Sequence, residues 1–249
     1  MTARRFTLAD VRRSYTPDKR WSEMEGDLPS FLLYRPLSIL LTPAAIAIGI
    51  SPTAVSLGAM TIALAMPFVA WFGGAQAYLW IALLAFVIHI CDCLDGNIAR
   101  TTGQSSKVGG LIDGFVDVCF WTIYFASLGI LVVRAPEHAG QSAWMRTHGI
   151  EVAMTLAVLV ILHRQLRDAF ALTYGLRAEF TPHAPKRLSA WAILRMVVIS
   201  FERFYLFAIL AGGWLGRLDL VLGGISVYVV FIFVCALWVT FAAALQRDR

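Results

Sequence analysis

Apolar residues are gathered into long stretches along the chain, and polar residues fall mostly in the short segments between them. Six stretches reach the roughly 20 residues that a helix needs to cross a bilayer core. They are roughly 53–73, 76–98, 110–133, 150–172, 196–214 and 220–244. A further apolar stretch, Phe31 to Ile50, precedes them, carries Arg35, Pro36 and Pro43, and runs into Ile50-Ser51-Pro52. It reads as an interfacial helix entering the membrane edge, with a seventh span as the alternative. Connections are short at Gly73-Gly74 and from Gly213 to Arg217, and longer at 134–149 and 173–195. No repeat, low-complexity segment or hydrophilic domain interrupts the pattern. The pattern predicts an all-α polytopic membrane protein, with six transmembrane helices preceded by an N-terminal amphipathic or interfacial helix. Residues 1–50 are expected to form a cytoplasmic tail and interfacial helix, and residues 51–249 one six-helix transmembrane domain.

Composition agrees. Of 249 residues, 59% are hydrophobic and 15% charged, against about a quarter charged in a soluble domain. Mean hydropathy is +0.70. Too little polar surface is present to cover a water-soluble globule of this size. An ordinary cytosolic enzyme, a disordered chain and a nucleic-acid-binding domain are excluded. The +5 formal charge reports topology and contact with anionic lipid instead. Cys91, Cys93, Cys119 and Cys235 lie in apolar sequence, without a disulfide framework or a zinc spacing, and read as small core residues. Residues 1–30 contain no apolar core of the kind a signal peptide needs. There Arg4, Arg5, Arg12 and Arg13, with Phe6, Leu8 and Val11 between them, predict a short amphipathic helix on an anionic membrane surface.

Charge also sets the expected orientation. With the N-terminus in the cytoplasm and six spans threaded, every Lys and Arg except Arg134, Arg146 and Arg217 falls on the cytoplasmic side. Both termini and the junction of spans two and three are then cytoplasmic, in a cell (inner) membrane.

That junction holds the chemistry. Residues 28–136 contain only four acids, Asp92, Asp95, Asp113 and Asp117. Ionisable groups in transmembrane segments are costly, and they mark functional sites. Asp92 and Asp95 are i,i+3 on one helix, and Asp113 and Asp117 are i,i+4 on the next, so each pair shares a face. A hairpin from Asn97 to Lys107 aims both pairs at one volume. Four carboxylates repel one another unless a cation neutralises them. All-oxygen ligands suit Mg²⁺ or Mn²⁺ better than zinc. Gly96, Ala99 and Gly109 leave room for a ligand or for close helix approach, and Arg100 stands ready to pair with phosphate. Carboxylates, divalent metal and arginine together suit a diphosphate substrate.

Residues 92–117 read D-C-L-D-G-N-I-A-R-T-T-G-Q-S-S-K-V-G-G-L-I-D-G-F-V-D. This resembles the signature of the CDP-alcohol phosphotransferases, D-x2-D-G-x2-A-R-x8-G-x3-D-x3-D, with every fixed position and every gap matched. The resemblance implies that Asp92, Asp95 and Asp113 bind divalent metal, two Mg²⁺ or Mn²⁺ ions, with Asp117 joining the second site. It implies that Asp117 is the general base taking the proton from the acceptor hydroxyl. Gly96, Ala99, Arg100 and Gly109 would line the CDP site. Ser51-Pro52-Thr53-Ala54-Val55-Ser56 is similar to the family's P-N-x-x-T-like start of the first span, which also approaches the nucleotide. It departs from it with Thr53 for Asn and Ser56 for Thr. The implied reaction is attack of an acceptor hydroxyl on the β-phosphorus of a CDP-alcohol, releasing CMP. The donor is either CDP-diacylglycerol, with a small polar or phosphorylated alcohol as acceptor, or a soluble CDP-alcohol, with a lipid or polyol-phosphate acceptor. The resemblance also implies a homodimer, in contact with membrane lipid.

Several residues keep two readings. Arg164, Arg167 and Arg203 either snorkel to headgroups or bind a phosphate on the acceptor. Asp168 and Glu202 stand beside them as possible neutralising partners. Lys107 either touches substrate phosphate or anchors at the interface. His89, i−3 to Asp92, packs within span two or supports that carboxylate by a hydrogen bond. Two other classes use membrane-embedded acids. An intramembrane prenyltransferase has different Asp spacing, and a transporter releases no CMP.

Overall fold

In the computed structural model, which describes residues 6–135, 141–174 and 189–247, every regular element is helical and no strand occurs among those residues. The chain is an all-α membrane-type protein. Seven of its helices are long and apolar enough to cross a membrane, by length and composition alone: Ser30–Ala47, Pro52–Phe72, Gly74–Thr102, Lys107–Arg134, Ala143–Thr173, Met196–Trp214 and Leu218–Arg247.

The seventh is the stretch that the sequence reads as interfacial. It opens with a π-helical turn, Ser30–Tyr34, and continues as α3, Arg35–Ala47. Its polar Arg35, Ser38 and Thr42 are buried, and Leu32, Leu40, Leu41 and Ile48 are exposed. The charged and hydroxylic face therefore turns into the protein, and the leucines face outward. Before it lie α1, Leu8–Ser14, and α2, Pro17–Gly26. Thr7 and Asp10 form a capping box for α1, and Thr16 caps α2 with Pro17 in the first turn. Of the predicted amphipathic helix, Arg4 and Arg5 lie outside the described residues. Val11 is buried, and Arg12 and Arg13 are exposed.

Sharp turns join the next helices because glycine supplies positive φ. Gly49, at φ 78°, closes α3, and the Ile50 N–H reaches the Ala45 carbonyl at 3.0 Å. Ser51 then accepts from the Ala54 N–H, so α4, Pro52–Phe72, starts at once. The same device ends α5, Ala77–Thr102. Gly103 has φ 72°, and the Gln104 N–H bonds to the Ala99 carbonyl at 3.0 Å. Ser106 caps α6, Lys107–Arg134, through the Gly109 N–H at 2.9 Å.

The chain folds as two compact units. The first comprises residues 1–65, 82–119 and 182–207. Within it, α1 packs on α3, and α2 packs on the π-helical turn and on α8, Ala190–Ser200. The predicted span 196–214 is interrupted here. A 3₁₀ turn, Phe201–Phe204, separates α8 from α9, Tyr205–Trp214. The Tyr34 hydroxyl donates to the Arg203 carbonyl at 3.1 Å, and the Leu28 N–H donates to Ser200 Oγ at 2.9 Å. Such side-chain capture of helix groups is a recognised cause of a break.

The second unit comprises residues 66–81, 120–181 and 208–249. Here α7, Ala143–Thr173, packs on α10, Leu218–Arg247. An aromatic core of Trp121, Tyr124 and Phe125 is buried in it. Gly129 lets α6 approach α7 so closely that a Cβ there would lie 2.7 Å from Ala153 Cβ.

Candidate active site

The α5–α6 hairpin and the start of α4 enclose a cavity of about 320 Å³. Thr53 and Ser56 line it from α4, Gly96, Ala99 and Arg100 from α5, and Gly109 from α6. These are the six residues that the sequence marks for the nucleotide. Asp95 and Asp113 face the same cavity. Asp92 and Asp117 each stand one helical turn further from the hairpin.

The carboxylates are held differently. Asp95 is buried and accepts from Ser56 Oγ at 2.6 Å. The serine that replaces the family's threonine keeps the hydroxyl for this bond. Asp113 is exposed at the cavity. Asp92 lies 3.6 Å from Arg203 Nη1, and it feels the charges of Asp117 and Asp113. Arg203 projects from the 3₁₀ turn, mostly buried. It reaches Asp27 at 3.3 Å, and its Nη1 lies 2.9 Å from His89 Nδ1. His89 therefore supports Arg203, and Arg203 faces Asp92. His89 also lies against Tyr34, with ring centroids 4.9 Å apart.

Arg100 folds back over Gly96. A Cβ on Gly96 would meet Arg100 Nη1 at 3.1 Å, so glycine makes the room for this posture. Arg100 Nη2 donates to Asn97 Oδ1 at 3.0 Å, and its buried Nε has no hydrogen-bond partner. A buried cationic donor left open beside a cavity fits an anionic ligand.

The donor chemistry here also fits a hard divalent cation, because Asp92, Asp95, Asp113 and Asp117 offer only oxygen. Among the described residues no three His, Cys, Asp or Glu side chains converge as a finished ligand set. Ser56 and Arg203 orient two of the carboxylates instead.

Lys107 is exposed at the start of α6 and does not line the cavity. Arg164 and Arg167 belong to the second unit, where the exposed Arg167 pairs with Asp168 at 3.4 Å. Sequence reasoning missed Glu23, Asp27 and Asn97. The signal for the first was Arg35, a cation alone in an apolar stretch, which needs an anionic partner once buried.

Residues 50–246 match the CDP-alcohol phosphatidyltransferase family. The match covers most of the chain, and the chain belongs to this family. It is a transferase of substituted phosphate groups, moving a phosphoalcohol group from a CDP-alcohol to an alcohol acceptor. The family is generally metal-dependent. No curated protein matches the chain.

Proposed function

We propose that this protein is a phosphatidyltransferase that takes CDP-diacylglycerol as donor and a small polar alcohol as acceptor, in a cell (inner) membrane. The hairpin and both termini face the cytoplasm in this reading, and residues 51–249 are the catalytic domain. One observation carries it. Six of the eight fixed signature residues, Asp95, Gly96, Ala99, Arg100, Gly109 and Asp113, line a single cavity of about 320 Å³, within the roughly 300–1,000 Å³ range of small-molecule sites, and the buried Nε of Arg100 has no hydrogen-bond partner.

The hairpin binds the nucleotide end of the donor. Gly96 and Gly109 admit it by lacking side chains, Thr53 and Ser56 offer hydroxyls, and Arg100 pairs with the diphosphate. Asp92, Asp95, Asp113 and Asp117 would hold divalent metal, Mg²⁺ or Mn²⁺, which when bound neutralises charge on the diphosphate. The acceptor hydroxyl attacks the β-phosphorus. A new O–P bond forms, the bond to the CMP oxygen breaks, and that electron pair leaves with CMP. Asp117 takes the hydroxyl proton. Ser56 holds Asp95, and Arg203 holds Asp92, in fixed orientations before the donor arrives.

The test is CMP release by purified protein supplied with Mg²⁺, CDP-diacylglycerol and, in turn, glycerol 3-phosphate, inositol, inositol phosphate and serine. Release stimulated by one acceptor, with a matching new lipid, supports the assignment. CDP binding without release for any acceptor removes CDP-diacylglycerol as donor.

A further inference from the structure

The segment before residue 50 lies outside the family match, yet it reaches the nucleotide cavity through a buried chain of hydrogen bonds. Arg35, on α3, is buried and bonds through Nε to both Glu23 oxygens at 3.1 Å. The Tyr15 hydroxyl also donates to Glu23. Arg35 Nη1 then crosses to α5, donating to the Cys93 carbonyl at 2.6 Å and to Asn97 Oδ1 at 3.0 Å. Arg100 Nη2 donates to that same oxygen at 3.0 Å.

Asn97 is fully buried, and its orientation is determined by its neighbours. Guanidinium groups only donate, so the side facing Arg35 and Arg100 must be the amide oxygen. The amide nitrogen donates to Ser38 Oγ at 2.9 Å, and Ser38 in turn donates to the Arg35 carbonyl at 2.9 Å. Both lone pairs of one neutral oxygen thus receive an arginine each.

Neutrality is the informative feature. A carboxylate in this place would hold Arg100 as well, but it would cancel the charge that a diphosphate needs. Glu23 pairs with Arg35 and offsets its charge in part, so Arg100 stands beside a neutral amide and not beside a carboxylate of its own. An amide tethers one edge of Arg100 and leaves its positive charge uncancelled, and the buried Nε has no hydrogen-bond partner.

Resting on the CDP reading above, we infer that Asn97, fixed by Arg35 and Ser38, is a positioning residue that orients Arg100 toward the donor diphosphate without neutralising it. The N-terminal segment thereby becomes part of the nucleotide site, with Glu23 as its far end. Position 97 is one of the unspecified positions of the signature, so the signature alone assigns it no role.

Asn97→Asp separates this role from packing, because the two side chains have nearly the same shape. An added carboxylate between two arginines holds or raises the melting temperature. It competes with the diphosphate for Arg100, so CDP binding and the donor KM weaken by about tenfold, the scale of one charge-assisted hydrogen bond. Turnover at saturating donor changes little. A merely structural Asn97 gives the reverse, a changed melting temperature with unchanged CDP affinity, and that result overturns the inference. If Asn97→Asp does not fold, Ser38→Ala takes its place. It frees the amide nitrogen to rotate, and CDP affinity equal to wild type in that variant also overturns the inference. Wild-type protein is measured first. If it neither binds CDP nor releases CMP, the transferase reading falls and this one with it. If it does both, a failure in the variants falls on this inference alone.

Discussion

Arg203 reaches Asp92 at 3.6 Å from the 3₁₀ turn that interrupts the predicted fifth span. Asp27 holds the same guanidinium at Nε, and His89 shares its Nη1. An arginine held in this way acts on Asp92 whatever the acceptor is. Arg203→Gln should therefore lower turnover with every acceptor in similar proportion. A loss confined to phosphorylated acceptors, read as their KM alone, would return Arg203 to the acceptor-phosphate role. The variant should also melt earlier. Removing one partner of a fully buried pair costs about 3–5 kcal/mol, and the partial exposure of Asp92 brings the expectation toward the lower end.

Asp117 carries the proton-transfer step of the proposed reaction. Asp117→Asn keeps the shape but cannot accept a proton. Turnover should fall by about 10²–10⁴, the usual scale for a general base, and CDP affinity should stay within a few-fold of wild type. Near-normal CMP release from this variant would remove Asp117 from the base role.

The sequence and the fold expose different parts of the site. Asp92, Asp95, Asp113 and Asp117 were visible because carboxylates are rare in apolar sequence and their spacing places them on helix faces. Arg100, Gly96 and Gly109 followed from the same short segment. The hairpin needs only local chemistry, Gly103 to end one helix and Ser106 to start the next. Asn97, in contrast, looked like a loop-edge polar residue. Its role depends on Glu23 and Arg35, which are distant in sequence and meet α5 only in the folded unit. The break at Phe201–Phe204 was hidden for a related reason. Glu202 and Arg203 are the charges within the predicted span, but the interruption accompanies hydrogen bonds from Leu28 and Tyr34, contacts that no periodicity records.

The Glu23–Arg35 pair gives a signed dependence on pH. Burial alone would raise the Glu23 carboxyl, but the hydrogen bond and charge of Arg35 and the hydrogen bond from Tyr15 outweigh it and hold it below the ordinary carboxylate range. Its stabilisation is then fully present above the unfolded value of about 4.3. It is lost as pH falls through the lower folded value. Melting curves in detergent from pH 7 to pH 3 should show stability falling at the acid end. Glu23→Gln should be less stable at pH 7 and should lack that part of the slope. An identical acid limb in the variant would mean that other carboxylates account for it.

The second unit supplies a test of packing that leaves the site untouched. A Cβ on Gly129 would lie 2.7 Å from Ala153 Cβ and 2.9 Å from the Gly149 carbonyl oxygen. The second of these atoms is backbone, so relief requires α6 and α7 to move apart. Gly129→Ala should cost about 1–3 kcal/mol, the usual range for overpacking, read as a lower melting temperature. Gly58, inside α4, has nothing within 4 Å of the same added atom. There the helix gains alanine's better propensity, and Gly58→Ala should be neutral or stabilising by up to about 1 kcal/mol. The opposite signs matter because both changes add one methyl group to a helix. Equal destabilisation by the two would show that glycine matters at 129 for flexibility and not for the close approach of two helices.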